Sequence, residues 1–121
     1  TVEGIYESYL VLPELRNFLQ EYFDRPVNAR YQVINSQLPV HIDIGSFSRK
    51  FNYILDPGGE DVFTRWWDSV ENPKNIIFST IAPSRKWHKI RVDVPHDISA
   101  VLYPRISIEV HEPSEEDLDE V

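Results

Sequence analysis

Leu38-Pro39-Val40-His41-Ile42-Asp43-Ile44-Gly45 sets the texture of this chain. Apolar and polar side chains alternate with period two, which is the pattern of a half-buried β-strand. On such a strand His41 and Asp43 point to one face, and Val40, Ile42 and Ile44 to the other. Working outward, the same texture recurs. Short runs rich in Val, Ile, Tyr, Phe and Trp are separated by Pro, Gly, Asn, Asp and Ser. Strands are expected near residues 29–36, 39–45, 50–56, 62–67, 75–81, 86–92, 95–102 and 104–110. Pro57-Gly58-Gly59, Asn72-Pro73 and Pro83-Ser84 mark turns between them. Upstream, residues 1 to 12 are mixed. Pro13 followed by ELRNFLQEYF reads as an amphipathic helix, with Leu15, Phe18, Leu19 and Phe23 at helical spacing and Arg25-Pro26 as the stop. One N-terminal helix followed by eight short strands, without βα alternation, implies a mainly β sandwich or barrel.

The chain has 121 residues, no cysteine and a formal net charge of -8. That length fits one domain, expected over residues 1–111. The absent cysteines exclude disulfide scaffolds, thiol catalysis and zinc–thiolate or iron–sulfur sites, and agree with a reducing, cytoplasmic setting. Residues 112–121, EPSEEDLDEV, carry six acids and no base, leaving 14 acids against 12 bases elsewhere. The acidity is that of a tail expected to be disordered and solvated. No basic surface suggests general nucleic-acid binding. No apolar run is long enough to span a membrane, and the polar, acidic N-terminus does not read as a secretory leader.

A neutral imidazole and a carboxylate side by side can chelate a divalent metal. Alone, His41-x-Asp43 reads as a surface histidine beside an acid. A third group changes this: His96, in Val94-Pro95-His96-Asp97, enters the seventh predicted strand. Two histidines and one carboxylate form the facial triad that holds non-haem Fe(II) and leaves positions open. His88 sits among Arg85, Lys86, Lys89 and Arg91, where positive charge disfavours a cation, and His111 borders the acidic tail. Arg105 follows His96 by nine residues and shares a strand face with Ser107. A guanidinium pointing into an apolar barrel is costly unless it meets an anion, and its fork suits a carboxylate. The plain alternative is an ion pair with Glu109, or a side chain that reaches solvent.

His41-x-Asp43, then His96, then Arg105-x-Ser107, resembles the motif set of the 2-oxoglutarate/Fe(II)-dependent oxygenases. Residues 38–110 resemble small proteins of that superfamily from viruses and environmental bacteria, nearest the aspartyl/asparaginyl- and prolyl-hydroxylase-like branch. The resemblance implies a double-stranded β-helix, or jelly roll, with the His-x-Asp pair on the second strand, the distal histidine on the seventh and the arginine on the eighth. The strands counted above place these residues likewise. It further implies that His41, Asp43 and His96 bind Fe(II), that Arg105 binds the distal carboxylate of 2-oxoglutarate with Ser107 assisting, and that O2 is the second co-substrate. Asn52 or Tyr53, on the third strand, are candidates to touch 2-oxoglutarate. Trp67 and Trp87 are candidate substrate platforms, with a core role the plainer reading of each. The implied activity is a dioxygenase that hydroxylates a substrate and releases succinate and CO2. The rival is a cupin-like jelly-roll module that binds or assembles without turnover; a metal-dependent isomerase or hydrolase on the same scaffold is a further alternative. A virus-encoded protein of this kind would work in the host cytoplasm. An exposed edge strand in so small a barrel leaves a homodimer open.

Overall fold

The computed structural model describes residues 5–43 and 49–111. Ile44, Gly45 and the acidic tail lie outside them. The described residues form nine strands and one helix, in the order β1 (Tyr6–Leu10), α1 (Pro13–Phe23), β2 (Asn28–Ile34), β3 (Leu38–His41), β4 (Arg49–Asp56), β5 (Thr64–Trp67), β6 (Ile76–Thr80), β7 (His88–Arg91), β8 (His96–Ile98) and β9 (Arg105–His111). They make two sheets, β1-β2-β9-β4-β7 and β3-β8-β5-β6. Every strand pairing in both sheets is antiparallel. Two antiparallel sheets with β9 inserted between β2 and β4 give a jelly roll, as expected from the sequence.

The eight expected strands are present as β2 to β9. β1 is additional: its register against β2 runs from Tyr6↔Ile34 to Leu10↔Arg30. Its burial pattern is irregular, with Tyr9 and Leu10 exposed, which is why alternation did not reveal it. β3 is shorter than expected and stops at His41. Pro39 has no N–H to give a ladder, and β3 accordingly lies at the edge of its sheet. β6, the opposite edge, exposes Ile76, Ile77 and Phe78.

Helix α1 begins at Pro13, where a fixed φ and a missing N–H cost nothing. It ends at Asp24, which takes a left-handed conformation (φ 54°), and the N–H groups of Asp24 and Arg25 donate to the carbonyls of Glu21 and Gln20. Leu19 and Phe23 are buried against Ala29, Phe51, Ile108 and Val110 on the outer face of the larger sheet. Each such side chain contributes about 1.5–3 kcal/mol. Phe18, expected on the apolar face, is exposed and stacks on Tyr22. No helix among the described residues is long and apolar enough to cross a membrane.

With one face of the larger sheet covered by α1, the other faces the smaller sheet. Two apolar clusters bridge that gap. Ile34 packs with Val62 and Ile98, and Ile90 with Trp66 and Val92. Alternation then assigns the inward positions: Gln32 and Ile34 on β2, Lys50, Asn52 and Ile54 on β4, His88 and Ile90 on β7, Arg105, Ser107 and Glu109 on β9. From the smaller sheet, Thr64 and Trp66 on β5 and His96 and Ile98 on β8 face them. The jelly roll therefore has an apolar core outside the larger sheet and a polar belt inside the sandwich.

Candidate metal centre

β3 and β8 pair with His41 opposite His96. Side chains directly opposite on one face are neighbours, and the two imidazole centroids are 4.3 Å apart. Asp43 lies just beyond β3, and its backbone N–H donates to the Val92 carbonyl (3.0 Å). That bond turns the carboxylate back over the pair. Asp43 Oδ1 is 3.1 Å from His41 Nε2 and 3.4 Å from His96 Nε2. One ligand atom from each residue falls within 4.8 Å of the others, and these three are the group among the described residues able to hold a metal ion. Two ligand atoms each about 2.1 Å from an ion and at right angles would be roughly 3.0 Å apart, close to the separations found here.

The ring orientations fit as well. His41 Nδ1 is 2.7 Å from the Pro39 carbonyl and His96 Nδ1 is 2.7 Å from the Val94 carbonyl. A carbonyl only accepts, so each Nδ1 carries the proton and donates it. Each ring is thereby held with Nε2 toward the centre; a metal that displaces the Nε2 proton shared with Asp43 would meet the lone pair it requires.

Charge at the centre follows from its neighbours. Burial opposes ionisation of Asp43, but hydrogen bonds from His41 and His96 and the Lys50 ammonium hold it well below the usual carboxylate range. Burial also works to lower His41; hydrogen bonding to Asp43 and Pro39 outweighs it, and the imidazole sits above its ordinary 6.5. Metal binding would therefore displace a proton. Lys50 Nζ lies 3.5 Å from Asp43 Oδ2 and 2.8 Å from Glu109 Oε1. Glu109 Oε2 is in turn 3.4 Å from His111 Nε2. The Asp43 carboxylate is thus divided, with Oδ1 toward the histidines and Oδ2 toward Lys50.

Arg105 faces the interior and is 4% exposed. It has no hydrogen-bond or ion-pair partner among the described residues. Burial alone pulls its guanidinium from 12.5 to about 10. The plain alternative for Arg105 fails on geometry, because Glu109 is taken by Lys50 and His111. The approach to Arg105 is fixed by Gly58, whose φ of +82° suits glycine. Gly58 accepts from the N–H groups of Leu102 and Tyr103. A Cβ there would meet the Tyr103 carbonyl at 2.8 Å and the Arg105 Cβ at 3.1 Å. Ser107 shares the face of Arg105, and its hydroxyl donates to Gln32 Oε1 (3.4 Å).

Asn52 faces inward, opposite His88 and Glu109 in the ladders. Tyr53 does not: it lies on the outer face with its ring 5.3 Å from Trp87, so the expectation that it touches a co-substrate is corrected. Alternation forces this, since adjacent residues cannot both face inward. Trp87 is likewise corrected, packing on Phe23 and Tyr22 beneath α1. Trp67 points away from the interior too. Its Nε1 donates to Asp97 Oδ1 (3.0 Å), and Arg65 stacks over its ring while pairing with the same carboxylate. Asp97, fully buried, also accepts from Gln37. This cluster braces β8 from behind while His96 faces forward. Sequence reasoning set His88 aside as a metal ligand and passed over Lys50 and Thr64; all three face inward. The signal for the first two lay in alternation: Lys50 is two residues from Asn52, and His88 two from Ile90.

No protein-family model matches the chain, and no curated protein matches it significantly. Solved structures do. A structure of RmlC-like cupin protein from Desulfovibrio desulfuricans is 15% identical, covering 91% of this chain and 88% of that one at a TM-score of 0.46. Two structures of HppE are also similar to this chain. Fe(II)-HppE with an alternative substrate is 19% identical over 69% of this chain and 41% of that one, at a TM-score of 0.46. Co(II) HppE in complex with substrate is 16% identical over 88% and 51%, at 0.49. The chain thus spans about half the HppE length or less.

Proposed function

We propose that this cupin-like protein is an Fe(II)- and 2-oxoglutarate-dependent dioxygenase that hydroxylates a second substrate. The observation that carries the reading is Arg105, a buried guanidinium without an acid among the described residues, in the same interior as the His41–Asp43–His96 group. A buried cation of this kind is tolerated where an anionic ligand completes it. His41, Asp43 and His96 would hold the iron, three protein ligands leaving open positions. Arg105 would take the distal carboxylate of the keto acid in a bidentate fork, with Asn52 lining the path and Ser107 beside it. Iron and keto acid together would supply oxygen activation, with 2-oxoglutarate leaving as succinate and CO2. The chain's own part is to orient both, to exclude water between the sheets and to keep each Nδ1–H donating to its carbonyl.

The test is anaerobic addition of Fe(II) and 2-oxoglutarate, followed by air. The expected results are a weak visible charge-transfer band, protection against heat as for any ligand of the folded state, and succinate formed on admitting oxygen. No band and no protection would overturn the reading. One observation favours a second reading, a cupin-like binding module without turnover: the Lys50 ammonium already neutralises Asp43 at 3.5 Å without a metal. Under that reading Fe(II) and 2-oxoglutarate leave the melting temperature unchanged.

A further inference from the structure

The belt between the sheets holds buried polar atoms that the chain leaves unsatisfied. Among the described residues, Asn52 Oδ1, Thr64 Oγ1 and His88 Nε2 have no hydrogen-bond partner. Native interiors pair nearly all such atoms, so three orphans on facing sheets, together with a guanidinium that has no partner among the described residues, mark a place completed by something else.

His88 is the informative one. It is fully buried, and its Nδ1 lies 3.1 Å from the Lys86 carbonyl. That nitrogen must carry the proton, so the neutral ring aims a lone pair from Nε2 into the interior. Arg105 of β9 and Lys86 on the adjoining segment are the charges that bear on the ring. Glu109 of β9 is taken by Lys50 of β4 and by His111. Across the interior, β5 offers only uncharged Thr64 and Trp66, and His96 of β8 is aimed at Asp43. Burial first, and then these two cations, keep the imidazole below its ordinary 6.5, hence neutral at pH 7. A carboxylate drawn to Arg105 carries only acceptors. Beside a neutral His88 it meets another lone pair; beside a protonated one it meets an Nε2–H donor and a second positive charge.

We propose that His88 is a second anion-binding residue of the interior, and that a dicarboxylate seated against Arg105 takes up one proton from solvent onto His88 Nε2. The inference rests on reading Arg105 as the carboxylate site, and adds to it the residue that senses the ligand's charge. The only bond formed is N–H; the anion's second charge is balanced by the imidazolium.

The experiment is calorimetric titration of the full chain, with 2-oxoglutarate into protein already loaded with Fe(II) under anaerobic conditions, and with succinate into the metal-free protein. Buffers of different ionisation enthalpy give the proton count at pH 7.5. Both acids are fully ionised across the range used, so they add no protons of their own. The expected result is close to one proton taken up per ligand, with Kd weakening by up to about tenfold per pH unit between roughly pH 6.5 and 8.5. His88→Asn and His88→Gln should bind with no uptake and a flat pH profile. The wild-type proton count stands even if one of these variants folds poorly. Binding that Arg105→Met abolishes, but that takes up no proton in the wild type, overturns the role of His88 and leaves Arg105 standing. Uptake that persists in both His88 variants overturns it as well. Failure of both acids to bind overturns the His88 and Arg105 readings together.

Discussion

Replacing Arg105 with methionine should make the ligand-free protein more stable. The guanidinium is 4% exposed, faces the interior and has no acid or acceptor among the described residues. Burial lowers it from 12.5 to about 10; at about 1.4 kcal/mol per pH unit, the charged form costs the fold about 3 kcal/mol. Methionine fills a similar volume without a charge to desolvate. Part of the gain is lost with the arginine's alkyl contacts, so the expected net effect is a stabilisation of about 2–3 kcal/mol, within the span seen when buried ions give way to apolar residues. For a domain of this size that is a rise in melting temperature of roughly 10 °C. The guanidinium stays protonated throughout pH 5–9, so the gain should not depend on pH there. Arg105→Lys keeps a buried cation and should show no such gain. The assay is urea unfolding with and without 2-oxoglutarate and Fe(II). Wild type loaded with Fe(II) should gain further stability when 2-oxoglutarate is added, and Arg105→Met loaded with Fe(II) should not. A variant that is less stable than wild type would mean the guanidinium already has a partner, and would refute the reasoning.

Alanine at His41, Asp43 or His96 should weaken Fe(II) or Zn(II) binding by more than about 100-fold in competition with a chelator; tight binding that survives two of these changes would remove the ligand set. The metal-free protein should be most stable near pH 6.5. His41 is held above its ordinary value, so its contribution is present below 6.5 and lost as pH rises through its folded value. His88 is held below, so its contribution is present above 6.5 and lost as pH falls through its folded value. In urea titrations, Asp43→Asn should flatten the alkaline limb and His88→Asn the mild-acid limb. Asp97→Ala removes the fully buried acceptor of Arg65, Trp67 and Gln37, and should destabilise by about 2–4 kcal/mol. Gly58→Ala adds a Cβ 2.8 Å from the Tyr103 carbonyl at a φ of +82°, and should cost about 1–3 kcal/mol while weakening 2-oxoglutarate binding through Arg105. Unchanged stability in either variant would contradict the packing described.

Amino-acid order alone settles what is local. Proline at the first helical position and apolar spacing set α1 from Pro13 to Phe23. Period-two alternation set eight strands, and placed His41 with Asp43, and Arg105 with Ser107, on common faces. Those properties depend on residues two to four apart, and backbone geometry transmits them directly. The tertiary structure decided what depends on pairing across the chain. Alternation says that Asn52 and Tyr53 face opposite ways; only α1 lying on the Phe51–Tyr53 side makes Asn52 the inward one. The triad exists because β3 pairs with β8, bringing together His41 and His96, which are 55 residues apart in sequence. That Arg105 is left without an acid among the described residues was decided the same way. Glu109 shares its face, but β4 lies alongside β9 and delivers Lys50 to Glu109 first. Local pattern fixes which side chains can meet, and strand order, set by burying apolar faces against each other, chooses which ones do.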